Sequence, residues 1–241
     1  MDEKVKGIVL KLTDYKEADK LASIFTLEQG IITVKFVGVK REKAKLKAIA
    51  QPFVFAEFNL HKIGNLNQVT SALLMDNFYQ TLLSYEKTIC SYIVLDIVNS
   101  IIPQNKPEND LFLLTLNALK NIETQNEYVA TIDYILKFIS FSGMGLEFPE
   151  NEYVYLDKSS GDFSAERNLN SLQIDKKVYK ILKNIAKNTE NEQKNAEKLQ
   201  IFENLQNNSN ENSTILKQIL RLLHNILFIK FNEDIKSFSY I

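Results

Sequence analysis

Six basic side chains, Lys35, Lys40, Arg41, Lys43, Lys45 and Lys47, fall within one short stretch that holds a single acid, Glu42. The whole chain carries 29 Lys and Arg against 30 Asp and Glu, so composition hides this local excess. Lysines spaced along a loop neutralise a polyanion whose charge repeats along its length. They follow a phosphate backbone without reading bases. The other reading of such a run is a solvated charged loop.

Other chemistry is thin. The sequence has no Gly-rich phosphate loop and no Gly-x-Ser-x-Gly elbow. Its two histidines, His61 and His224, stand far apart, and Cys90 is the one cysteine, lying beside Ile89 on a helical stripe. That count excludes an internal disulfide and leaves no set of usual ligands for a tetrahedral zinc site, so neither a metal nor a cofactor is expected. Carboxylates are scattered, so no acid/base pair can be named and no enzyme is expected. A hydrolase or transferase has no motif to stand on.

The basic stretch needs a scaffold, and period-2 patterning supplies one. Ile8, Leu10 and Leu12 alternate with Val9, Lys11 and Thr13. After the polar Asp14–Asp19 connection, Leu21–Thr26 resumes the pattern, and Leu27-Glu-Gln-Gly30 reads as a tight turn. Ile31–Val37 places Ile32, Val34 and Phe36 on one face and Lys35 on the other. Pro52–Leu60 and Leu66–Val69 complete five short strands, punctuated at Gly64. Five strands of this length predict a closed or nearly closed barrel of the oligonucleotide-binding (OB) type over residues 1–70.

Beyond Thr70 the period becomes helical. Ser71 is expected to cap a helix carrying Leu74, Phe78 and Leu82. Ser84 opens the next, through Ile89, Ile93, Ile97 and Ile101 to Pro103. Further helices are read from Asn109, from about Asn126 to Gly143, over Asp175–Ala186 and over Thr214–Phe231. Their apolar stripes predict a bundle. The fold class is therefore α+β: an OB barrel, then a helical domain over residues 71–241 with an irregular insertion at about 143–170. A short strand is expected at Tyr153–Leu156, and the Asn-rich Gln206–Ser213 reads as a solvated turn or disordered connection. Residues 1–60 hold 11 Lys/Arg and 8 Asp/Glu, so the positive excess sits on the barrel. No apolar run reaches the roughly 18 residues of a membrane span, and no secretory signal opens the chain. A soluble, cytoplasmic protein with no membrane partner is expected.

Gly7-Ile-Val-Leu-Lys11, then Tyr15, Glu17, Asp19, Leu21, Thr26 and Gly30, and the Gly38-Val-Lys-Arg41 loop leading to Gln51-Pro-Phe53, resemble the N-terminal domain of bacterial RecO proteins. Leu111-Phe112, Tyr134-Ile-Leu136, the Gly145…Pro149 step and the closing Ile235-Lys-Ser237 extend the resemblance. It implies a nucleoid-associated DNA-repair protein that binds single- and double-stranded DNA and anneals complementary strands. With RecR, such proteins let RecA displace single-strand-binding protein (SSB), whose acidic C-terminal tail is held on the helical domain. Many RecO proteins place four zinc-binding cysteines after the Gly…Pro step. Here Pro149–Leu156 and Phe163-Ser164 supply none, and packing of Phe148, Tyr153, Tyr155 and Phe163 is expected to hold that segment instead. The reading from a different class is an OB-fold RNA-binding or adaptor protein whose helical domain is the main partner surface.

Overall fold

The computed structural model describes residues 2–190 and 209–241. Two compact units divide the chain: Met1–Ser84 with Leu95–Lys120, and Tyr85–Val94 with Asn121–Ile241. In the first, β1 (Asp2–Tyr15), β2 (Asp19–Thr26), β3 (Gly30–Phe36), β4 (Phe55–Ile63) and β5 (Leu66–Asp76) close a barrel in the order β1-β2-β3-β5-β4. All pairings are antiparallel except β3–β5, which is parallel through Val34–Asn67 and Lys35–Gln68. This is an OB-type barrel followed by a helical region, an α+β architecture.

Val5, Val9, Ala22, Ile24, Ile32, Val34, Phe36, Ala56, Phe58, Leu60 and Val69 fill the interior. Placing Ile8, Leu10 and Leu12 on one face of β1 proves incorrect. A bulge between Val9 and Lys11 shifts the register, so Leu12 joins Val9 against the interior cluster. Ile8 and Leu10 are also buried. A strand covered on both sides reads as a continuous apolar run rather than an alternation. Outside the barrel, Phe112 packs its ring on Phe25 (5.4 Å) and Phe55 (6.1 Å). Gly30 has φ +71°, and a Cβ there would overlap the Lys106 carbonyl, which explains glycine at this turn.

The helix expected from Ser71 is overturned. β5 continues to Asp76, paired with β4 from Phe55, and only the single turn α1 (Tyr79–Leu82) follows. The other helices are α2 (Tyr85–Ile101), α3 (Asn109–Thr124), α4 (Glu127–Phe141), α5 (Lys176–Glu190) and α6 (Ser209–Phe231), with a terminal 3-10 turn at Lys236–Tyr240. Asn126 caps α4 by accepting from Val129 N at 3.1 Å, and Asp175 caps α5 through Lys177 N and Val178 N. Of the Asn-rich stretch, 206–208 lie outside the described residues. Residues 209–213 are not a turn but the start of α6, where Glu211 in the first turn binds Lys177 at 2.9 Å.

In the second unit α4, α5 and α6 pack against one another. A small sheet, β6 (Tyr155–Asp157) between β7 (Phe163–Ser164) and β8 (Ser171–Gln173), lies in the irregular segment. Phe148, Phe163 and Tyr179 form a ring triangle with centroids 5.5–6.1 Å apart. The expected packing of Tyr153 is corrected: it is exposed under the Lys176 ammonium, and Tyr179 of α5 joins Phe148 and Phe163 in the cluster, while Tyr155 is half-buried on β6. The Pro149 carbonyl accepts from Tyr179 Oη (2.8 Å) and Lys183 Nζ (3.2 Å), which ties the segment to α5.

Candidate nucleic-acid interface

The basic stretch connects β3 to β4. Its backbone is a succession of tight turns, with Arg41 N donating to Gly38 O, Ala44 N to Arg41 O, Lys47 N to Ala44 O and Ala50 N to Leu46 O, all at 2.9–3.2 Å. Val39, Ile49 and Ala50 are buried in the interior cluster and Leu46 packs against it. The apolar residues between the lysines thus fasten the loop to the barrel, and the lysines face outward. Arg41, Lys43, Lys45 and Lys47 are exposed and make no ion pair among the described residues.

Lys35 and Lys40 are placed differently. Lys35 lies opposite Leu21 on β2, which makes Asp19 its diagonal neighbour on the same face. Its Nζ meets Asp19 Oδ2 at 2.8 Å, with the two side chains only 20% and 12% exposed, and sits 5.4 Å from the Tyr15 ring centre. Asp19 also accepts from Gly38 N at 2.8 Å. The Lys35 hydrogen bond and then the Gly38 N–H hold its carboxyl below the ordinary 3.8. Asp19 therefore anchors the entry of the loop. Lys40 Nζ meets Asp14 Oδ2 at 3.1 Å, and Lys40 N donates to Ala18 O at 3.0 Å. The loop is thereby tied to the β1–β2 turn, beside the strand 2–3 face that OB barrels present to oligonucleotides.

Tyr15 and Lys16, inside the Asp14–Asp19 connection, and Lys20, directly after it, are candidates that the charge pattern of residues 35–47 does not include, although their aromatic and basic types are plain in the sequence. Lys16 Nζ lies 5.5 Å from the Tyr15 ring centre. The rival cationic surface, α5, is largely neutralised: Lys176 pairs with Glu152, Lys177 with Glu211, and Lys183 and Lys187 both with Glu150.

Elsewhere, Cys90 is fully buried and burial pushes its thiol up to about 12, so it is no nucleophile. His61 is exposed at the end of β4. His224 stacks on Phe238 with ring centres 4.5 Å apart, its Nε2 3.1 Å from Asp234. Among the described residues no group of His, Cys, Asp and Glu could hold a metal ion, and no helix is long and apolar enough to cross a membrane.

Comparison with known proteins agrees with this architecture. The family model "Recombination protein O N terminal" matches residues 1–78 and "Recombination protein O C terminal" matches residues 82–227. Relatives named "DNA repair protein RecO" include those of Caldicellulosiruptor saccharolyticus (30% identical over 149 residues, 61% of each chain) and Bacillus subtilis strain 168 (30% over 164, covering 66% of this chain and 62% of the relative). That of Clostridium perfringens strain 13 is 24% identical over 205 residues, 73% of this chain and 82% of the relative. The match thus spans 61–62% of the length of the two more similar of these relatives. With both family models in chain order over the barrel and the helical region, the chain belongs to the RecO family.

Proposed function

We propose that this protein is a DNA-binding recombination mediator of DNA repair that works without catalysing a covalent step. It binds single- and double-stranded DNA, anneals complementary strands and, with RecR, helps load RecA onto SSB-coated single strands. The observation that carries the reading is the β3–β4 loop, whose four unpaired cations are held outward by buried Val39, Ile49 and Ala50. The relatives' shared name, DNA repair protein RecO, supports it. Annealing needs a surface that screens phosphate repulsion while leaving base edges free, and a row of lysines beside an aromatic side chain, Tyr15, suits that task.

On this reading the acidic C-terminal tail of SSB is held on the helical domain. The test is the pairing rate of complementary strands coated with cognate SSB, without ATP. Coated strands are the stringent substrate, because any polycation anneals bare DNA by screening. The protein should accelerate pairing on full-length SSB and lose that effect on tail-deleted SSB while still annealing bare strands. Equal rates on both coatings would remove the partner claim and favour an OB-fold binder of RNA or DNA.

A further inference from the structure

Three lysines distant in sequence line one depression at the foot of the β3–β4 loop. Lys20 comes from β2, Lys40 from the start of the loop and Lys47 from its end. The successive turns fold the loop back so that Lys47 returns to Lys40, and Gln51 Nε2 fastens the Lys47 carbonyl at 3.3 Å. The bond from Lys40 N to Ala18 O brings the same place against the β1–β2 turn. The floor is buried Val39 and Ala50, and the volume is about 310 Å³. The one acid in the lining is Asp14, paired with Lys40 but 68% exposed and so able to swing into solvent. Lys20 and Lys47 make no ion pair among the described residues.

We propose that this depression seats the terminal phosphate of a nucleic-acid strand, a phosphomonoester, while Arg41, Lys43 and Lys45 at the loop tip take internal phosphodiesters. Charge and shape both select the monoester. Three ammonium groups and one carboxylate leave two positive charges, and a phosphomonoester carries about −1.5 to −2 at pH 7. An internal phosphodiester carries one negative charge and continues into a sugar on either side, which calls for an open groove rather than a floored depression. A chain end has one continuation and can enter. The assignment rests on reading the loop as a nucleic-acid surface.

The test compares a fluorescent oligothymidylate carrying a 5′-phosphate, a 3′-phosphate or neither, titrated with the full-length protein at fixed salt. The expected result is about 5- to 10-fold tighter binding of one phosphorylated form, the end preferred naming the strand polarity. That preference should fade below pH 6, where the monoester gains a proton. In Lys20→Gln and, separately, Lys47→Gln, each checked for an unchanged melting temperature, the ratio of phosphorylated to unphosphorylated affinity should fall to within twofold of one. Equal affinity of all three strands for the wild type overturns the pocket while leaving the loop reading intact. So does a preference that survives both variants or ignores pH. Failure of every strand to bind overturns pocket and loop together.

Discussion

Replacing Arg41, Lys43 and Lys45 together by Ala should remove most of the salt dependence of single-strand binding. Six basic residues lie in the stretch, but Lys35 and Lys40 sit on Asp19 and Asp14, which leaves Arg41, Lys43, Lys45 and Lys47 as its unpaired cations. At about −0.7 in the log–log slope per phosphate neutralised, four contacts give roughly −2.8. Raising salt from about 50 to 200 mM should then weaken wild-type binding by about 50-fold. With only Lys47 remaining, the slope falls to about −0.7 and the same change costs about 3-fold. Fluorescence anisotropy on a mixed-sequence single strand at four salt concentrations measures both slopes. The melting temperature should stay within about 3 °C, because exposed charges contribute little to folding. A triple variant that keeps the wild-type slope refutes the reasoning, and Lys180 and its neighbours on α5 become the alternative.

Four further outcomes follow from the packing. Asp19 has a carboxyl held below its ordinary 3.8, so its contribution to stability is present in full above about pH 4 and is lost as pH falls through its lowered folded value. Wild type should therefore be more stable than Asp19→Asn near neutrality, with the gap closing in acid unfolding monitored by circular dichroism; a gap that widens with acid would contradict the Lys35 pair. Cys90, with its thiol buried and raised to about 12, should react with a thiol reagent only after denaturation. In the small-sheet segment, Tyr179→Phe should cost about 1 kcal/mol through the lost bond to Pro149 O, since Lys183 still serves that carbonyl, whereas Tyr179→Ala should cost about 3–5 kcal/mol by emptying the ring triangle. Elemental analysis should find well under one zinc per chain, and stoichiometric zinc would contradict the ring triangle as what holds the segment.

The barrel was readable where strands bury one face. Ile32, Val34 and Phe36 alternate with Lys35 as a half-buried strand must, and Gly30 marks its turn. It was misread where that condition fails. β1 is covered on both sides, and Leu73, Leu74 and Met75 of β5 are apolar yet exposed, so hydrophobicity there does not report burial. Leu74, Phe78 and Leu82 recur at helical spacing, but pairing of Ala72–Asp76 with β4 decides the local structure. The cations of the loop could be named from sequence because charge needs no fold to be counted. Which of them are neutralised could not, since Lys35 meets Asp19 only through the register of β2 with β3. Lys20 joins Lys40 and Lys47 only when the turns fold the loop back.

Lysine footprinting by acetylation and mass spectrometry, with and without a saturating single strand, tests the central claim most directly. The account predicts protection of Lys43, Lys45 and Lys47, with Lys40 also shielded, while the acid-paired Lys176, Lys177 and Lys187 of α5 react equally in both states. Protection confined to α5, with the β3–β4 loop labelled as in the free protein, would contradict it.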